Sequence, residues 1–141
     1  LLEQSACKPA DNTHETPEKI NRLINVLKNG ALRPWGLVID TAHLWAMGIE
    51  LGQPAQVRHF FDNIIKGHIS LIHFNGSYSD RGSGKDKHAI PAGPEDNIWN
   101  RTTRLGWQAL IKWAKLQKIP MVMEVNRGKK EDLEYIYNYT D

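Results

Sequence analysis

The stretch WGLVIDTAH, residues 35–43, decides how the rest of the chain is read. Leu37, Val38 and Ile39 form an apolar run with no polar alternation. Such a run fits a strand buried on both faces, as in a parallel sheet covered by helices. The run ends on Asp40, and a loop is expected from there to a helix beginning near Pro54. Three other segments behave alike: Leu1-Leu2-Glu3-Gln4 reads as the remainder of a strand, Ile69 to Phe74 as a third strand, and Ile119 to Val125 as a fourth.

Amphipathic helices separate these strands. Thr16 caps the first, with Pro17 at its opening position, where a missing N–H costs nothing. Ile20, Leu23, Ile24 and Leu27 make its apolar stripe, and Asn29-Gly30 stops it. The helix from Pro54 buries Val57, Phe60, Phe61, Ile64 and Ile65 and ends at Lys66-Gly67. Arg101 to Gln117 buries Leu105, Ala109, Leu110, Trp113 and Leu116, and Lys129 to Tyr139 places Leu133, Ile136 and Tyr137 on one face. Trp45 and Trp99 fall in expected loops, outside any core stripe.

Four consecutive βα units imply a parallel sheet with helices packed outside it. Four units leave two raw edges, whereas eight close into a barrel. Because the chain opens on apolar Leu1-Leu2, the expected fold is α/β, the C-terminal half of a (β/α)₈ TIM barrel. Residues 1–141 then form a single domain or fragment. A doubly wound open sheet is the alternative, since spacing does not give strand order.

Composition narrows the classes. With 141 residues and a formal charge of +2, the chain has the size of one domain and no bulk charge that argues for a polyanion partner. Residues 1–70 carry seven basic and seven acidic side chains, residues 71–141 eleven and nine. Cys7 is the single cysteine, which excludes an intrachain disulfide and fits an intracellular, reducing compartment such as cytoplasm or nucleus. No stretch reads as a membrane span or a signal peptide, so neither membrane attachment nor secretion is expected. Three sequons, at Asn75, Asn100 and Asn138, are short enough to arise by chance. The loop Ser83-Gly84-Lys85-Asp86 is not a phosphate-binding loop, because Ser79 and Asp86 stand where that motif needs Gly and Ser or Thr.

Each strand ends in a potential metal ligand: Glu3, Asp40, His73 and Glu124. They lie at the C-terminal ends, where (β/α)₈ enzymes assemble their sites. Converging carboxylates repel one another unless a cation sits between them, and two Glu, one Asp and one His suit Zn²⁺ or Mn²⁺. Taken singly, each also reads as an ordinary strand-end polar residue; the repetition at four strands carries the metal reading. His43, Asp86 and His88 form a second set in the loops, one carboxylate and two imidazoles, suited to a further Zn²⁺.

At these residues the sequence resembles the C-terminal half of endonuclease IV-type apurinic/apyrimidinic endonucleases. The resemblance runs in order through Leu2-Glu3, Val38 to His43, Ile72 to Ser77, Gly82 to His88 and Val122-Met123-Glu124. It implies DNA repair by metal-assisted hydrolysis of the phosphodiester bond 5′ to an abasic site in double-stranded DNA, leaving a 3′-hydroxyl. It further implies that Glu3 bridges two zinc ions, that Asp40, His73 and Glu124 complete one of those sites, and that His43, Asp86 and His88 hold a third ion. Two of the three ions then fall to this chain, and the remaining site needs two histidines from the barrel's N-terminal half. Glu3 and Glu124 are the expected catalytic residues, and Arg81, Lys85 and Lys87 are placed to meet phosphates. The sequence departs from the family pattern at Gly76, where Asp is usual, at Lys87, where Arg is usual, and in the loop after Glu3. A divalent-metal sugar isomerase or epimerase is the rival; it uses the strand-end set alone. An incomplete, inactive piece of a barrel is the non-enzymatic alternative.

Overall fold

Four strands hydrogen-bond in the order in which the chain visits them. In the computed structural model, which describes residues 1–6, 17–64, 67–99 and 105–125, these are β1 (Leu2–Glu3), β2 (Leu37–Asp40), β3 (Ile69–His73) and β6 (Met121–Val122). All three pairings are parallel. A doubly wound sheet reverses its strand order at a switch point; among the described strands there is no reversal.

Register explains why the strand-end residues share a face. Glu3 lies opposite Val38, Asp40 opposite His73, and His73 opposite Val122. Side chains two apart on a strand point the same way. Val38 and Asp40 therefore share one side, Val122 and Glu124 continue it, and all four expected ligands belong to it. Backbone bonds reach past the short strands, with Gln4 N–H donating to Val38 O at 3.1 Å and Phe74 N–H to Val122 O at 2.7 Å.

Helices α1 (Pro17–Gly30), α3 (Pro54–Asp62) and α4 (Leu105–Gln117) cover the other side. Ile20 and Ile24 are buried from α1, Val57, Phe60 and Phe61 from α3, and Leu110 and Trp113 from α4. Burying each such side chain fully contributes about 1.5–3 kcal/mol. Phe61 and Trp113 meet at 4.9 Å between ring centroids, and the Trp113 indole N–H donates to Asp62 Oδ1 at 3.1 Å. The stripes are narrower than their periodicity implies. Leu23, Leu105 and Leu116 are exposed, at 45%, 51% and 80%, because each lies at the margin of its helix's packed face. The expected helix over 129–139, the N-cap at Thr16 and the start of the third helix at Arg101 lie outside the described residues.

The segment after β2 is not a simple loop. Thr41–Ala46 forms a six-residue helix, α2, every residue of which is buried. Beyond β3, β4 (Gly76–Ser77) and β5 (His88–Ala89) pair as a small antiparallel ribbon. Trp45 and Trp99 belong to the core after all. Each indole N–H finds a backbone carbonyl at 2.9 Å, Trp45 that of Ser79 and Trp99 that of Asn75, which is what lets an aromatic with a polar edge be buried. No helix among the described residues is long and apolar enough to cross a membrane.

Candidate metal centre

Asp40 is the hinge of the site. It is fully buried and is the N-cap of α2: its Oδ1 accepts from the backbone N–H groups of Ala42 at 2.7 Å and His43 at 3.3 Å. A capping carboxylate satisfies donors that the first helical turn leaves unpaired. The cap fixes the helix so that His43, three residues on, turns back over the strand ends. Thr41 ties this turn to β3, its hydroxyl accepting from Asn75 N–H at 2.8 Å and lying 2.6 Å from Asn75 O. The Asp-Thr-Ala-His spacing is thus a cap, a tether, a small buried residue and a directed imidazole.

The other oxygen, Asp40 Oδ2, faces the site. It accepts from Asn75 Nδ2 at 2.8 Å and lies 3.6 Å from His73 Nδ1 and 3.5 Å from His88 Nε2. His73 Nδ1 is also 3.0 Å from Glu3 Oε1 and 2.8 Å from Glu124 Oε2. One ligand atom from each of Glu3, Asp40, His73 and Glu124 falls within 4.8 Å of the others, a spacing that admits one cation. Sequence reasoning missed Asn75. Its Nδ2 orients Asp40 and its Oδ1 accepts from Glu124 N–H at 2.8 Å. A polar residue two positions past β3 carries no periodicity that announces such a role. Asn75 is fully buried, so its sequon match is a coincidence of spelling.

The loop set converges too. His43 Nε2 lies 3.2 Å from Asp86 Oδ2, and His88 Nε2 lies 2.9 Å from Asp86 Oδ1. Asp40, His43 and His88 also fall within one 4.8 Å group, so Asp40 stands between the two sets. Each of these imidazoles spends Nδ1 on a backbone carbonyl: His43 on Gln4 O at 2.7 Å, His88 on Glu124 O at 3.1 Å. A donating Nδ1–H fixes the tautomer and leaves Nε2 a lone pair. Both Nε2 atoms are buried without a hydrogen bond despite the nearby Asp86 oxygens. Buried polar atoms are seldom left so. Two imidazole lone pairs beside carboxylate oxygens are a donor set that fits Zn²⁺.

Electrostatics agree. Burial alone would depress His43, but the charge of Asp40, the Gln4 carbonyl and Asp86 outweigh it, and its pKa is raised. The carboxylates and the carbonyl facing His43 therefore favour positive charge at that ring. A cavity of about 610 Å³ opens over Asp86, His88 and Glu124, with Tyr78, Lys87 and Ile90 also lining it. Lys85 and Lys87 are exposed. Arg81, expected to meet phosphates, is instead paired with Glu50 and lies 5.9 Å from the centre of the Trp45 ring. Its sequence position beside the ligand loop gave no hint of that partner.

No protein-family model matches the chain. It is 31% identical to "Probable endonuclease 4" of Malacoplasma penetrans over 76% of its own length and 35% of that protein's. It is 27% identical to a "Probable AP endonuclease" of African swine fever virus, over 86% of its length and 44% of the relative's. Among solved structures, one described as "The crystal structure of AsfvAP:AG" superposes with a TM-score of 0.76 at 26% identity, covering 96% of this chain and 48% of that one. The endonuclease IV of Thermus thermophilus superposes with a TM-score of 0.68, covering 99% of this chain and 47% of the other; at 20% identity that likeness speaks for fold alone. The chain thus spans between about a third and a half of the length of the relatives it matches.

Proposed function

We propose that this relative of endonuclease IV-type AP endonucleases contributes the C-terminal half of a TIM-barrel DNA-repair nuclease. The reaction is hydrolysis of the phosphodiester bond 5′ to an abasic site in duplex DNA, leaving a 3′-hydroxyl. The observation that carries this reading is the pair of buried, hydrogen-bond-free Nε2 atoms of His43 and His88, beside Asp86 and next to the strand-end set. A sugar isomerase or epimerase needs only the strand-end set and gives the loop set no task.

Glu3, Asp40, His73 and Glu124 would hold one zinc ion, and His43, Asp86 and His88 another. Mn²⁺ also suits the oxygen-rich strand-end set. Glu3 would also serve a third ion, whose other ligands would come from the barrel's N-terminal half. When bound, such ions polarise phosphoryl oxygens, lower the pKa of water and offset charge on the leaving alkoxide.

The chain's own residues supply the rest. Glu3 and Glu124 are the partly exposed members of the strand-end set, and Glu124 lines the cavity. We assign Glu124 to orienting the attacking water and accepting its proton, and Glu3 to holding the reacting phosphate's surroundings in register. Lys85 and Lys87 meet DNA phosphates. Extruding a nucleotide that lacks a base forgoes little stacking, which favours the damaged site over intact DNA.

The test is native mass spectrometry followed by cleavage of an abasic duplex, with and without an N-terminal half supplied in trans. Two zinc ions on this chain, and incision that appears or strengthens with the added half, are the expected results. A chain that binds no zinc at any stoichiometry overturns the metal assignment, and metal-dependent epimerisation of a sugar would replace the nuclease reading.

A further inference from the structure

Gly76 opens β4 at a point where no side chain fits. A Cβ built there would lie 2.5 Å from the Asp96 Cγ and 2.6 and 2.7 Å from its two carboxylate oxygens. The space beside position 76 is filled from position 96. The carboxylate that occupies this space is therefore delivered from position 96, and a side chain at position 76 would compete for the same place.

That carboxylate is a hub. Asp96 Oδ1 accepts from Ser77 N–H at 3.1 Å and Ile98 N–H at 2.8 Å, and Oδ2 from Ala92 N–H at 2.7 Å. Ala92 holds a left-handed φ of 56°, a conformation that residues with a side chain rarely adopt. The bond from its N–H helps hold that turn. Next door, Asn97 N–H donates to Ser77 O at 2.8 Å, and its side chain reaches Tyr78 O at 3.0 Å. Tyr78 N–H in turn donates to Lys87 O at 3.0 Å, between Asp86 and His88. One half-buried carboxylate thus ties the Ala92 turn and the Ile98 segment to Ser77 of the ribbon that presents the loop ligands.

We propose that Asp96 is a positioning residue for Asp86 and His88, supplying from position 96 a carboxylate that a residue at position 76 could supply in its place. The inference rests on the loop set being a metal site, as read above. It predicts a reciprocal exchange. Asp96→Gly should loosen the ribbon, Gly76→Asp alone should clash, and the double variant Gly76→Asp/Asp96→Gly should recover what each single change loses.

Two readouts on the folded chain decide this, with thermal unfolding confirming that each variant folds. The first is amide hydrogen exchange at Ser77, Ala92 and Ile98 without metal. The second is an NMR titration with Zn²⁺ alone, following the rings of His43 and His88 separately from that of His73. Asp96→Gly is expected to speed exchange at these amides about 10-fold or more and to weaken Zn²⁺ binding at His43 and His88 about 10–100-fold, the usual range for outer-shell partners, with His73 changed less than about 2-fold. The double variant is expected to regain most of both. If the double variant exchanges and binds no better than Asp96→Gly, or Asp96→Gly matches the parent, the inference is overturned. Should the parent bind no Zn²⁺, the metal reading fails, and amide exchange alone then decides for or against the exchange of carboxylates.

Discussion

The strand-end and loop sets of candidate metal ligands lie side by side and share Asp40, yet they are held in different ways. Glu3, Asp40, His73 and Glu124 inherit their places from the register of a parallel sheet, in which one offset fixes every side chain on the face. His43, Asp86 and His88 have no such common frame. They depend on a six-residue helix, a ribbon of two-residue strands and the half-buried Asp96 that fastens it. The sheet confers position through one shared register, with Asp40 and His73 buried and Glu3 and Glu124 partly exposed. The loop set reaches the same convergence through separate hydrogen bonds, and its Asp86 is the more open carboxylate.

The largest effect should come from removing what the two sets share. Asp40→Ala loses the α2 cap and leaves the Asn75 amide without its acceptor, for a stability loss of about 2–4 kcal/mol in urea unfolding. Asp40→Asn can keep the cap through its carbonyl oxygen, yet it should weaken Zn²⁺ at both sets in calorimetry. If only one set responds, Asp40 is not common to them. His88→Ala should depress Zn²⁺ affinity at the loop set beyond the roughly 10–100-fold typical of outer-shell changes, leaving the strand-end set within about 2-fold, with His73→Ala doing the converse. Equal losses at both sets would merge them into one site.

Asp96 makes the comparison depend on pH. Burial raises its carboxyl from 3.8 to about 6, against the lowering by the backbone N–H groups of Ile98, Ser77 and Ala92. The folded chain therefore holds this proton more tightly than the unfolded chain. The group's contribution to stability is greatest at pH values below both figures and declines as pH rises from about 4 to about 6, by something on the order of 1–3 kcal/mol. Asp96→Asn should flatten that slope in pH-dependent thermal unfolding; an unchanged slope assigns it to another group. The smallest effect concerns DNA: Lys87→Ala should reduce the slope of log affinity against log salt for an abasic duplex by about 1, and Arg81→Ala, already paired with Glu50, should leave it nearly unchanged.

Legibility in the sequence followed the same division. The apolar runs ending at Asp40, His73 and Glu124 reveal strand ends, and Leu1-Leu2 hints at another before Glu3, so the shared position of these four residues could be anticipated. The loop ligands could be named from residue type, but their scaffold could not. Six residues of α2 complete fewer than two turns, too few for a period to show. Trp45 and Trp99 looked like loop aromatics because the carbonyls that accept their N–H groups lie 34 and 24 residues away. Asp96 sits in a Gly- and Pro-rich turn that reads as solvated, and only the missing Cβ at Gly76 makes room for it. Leu23, Leu105 and Leu116 show the opposite limit: periodicity marks a face but not the width of what covers it.

The two imidazoles of the loop set hang from opposite margins of the sheet. His43 takes its orientation from the carbonyl of Gln4, just past β1, and His88 from that of Glu124, just past β6. β1 and β6 are the outer members of the four-strand order. The pair therefore acts as a caliper laid across the four described strands, with Asp86 at the point where its jaws meet. Any widening or shear between the outermost strands turns one ring relative to the other. The ring signals of His43 and His88 would then report the curvature of the sheet itself, from a place where no strand residue needs a label.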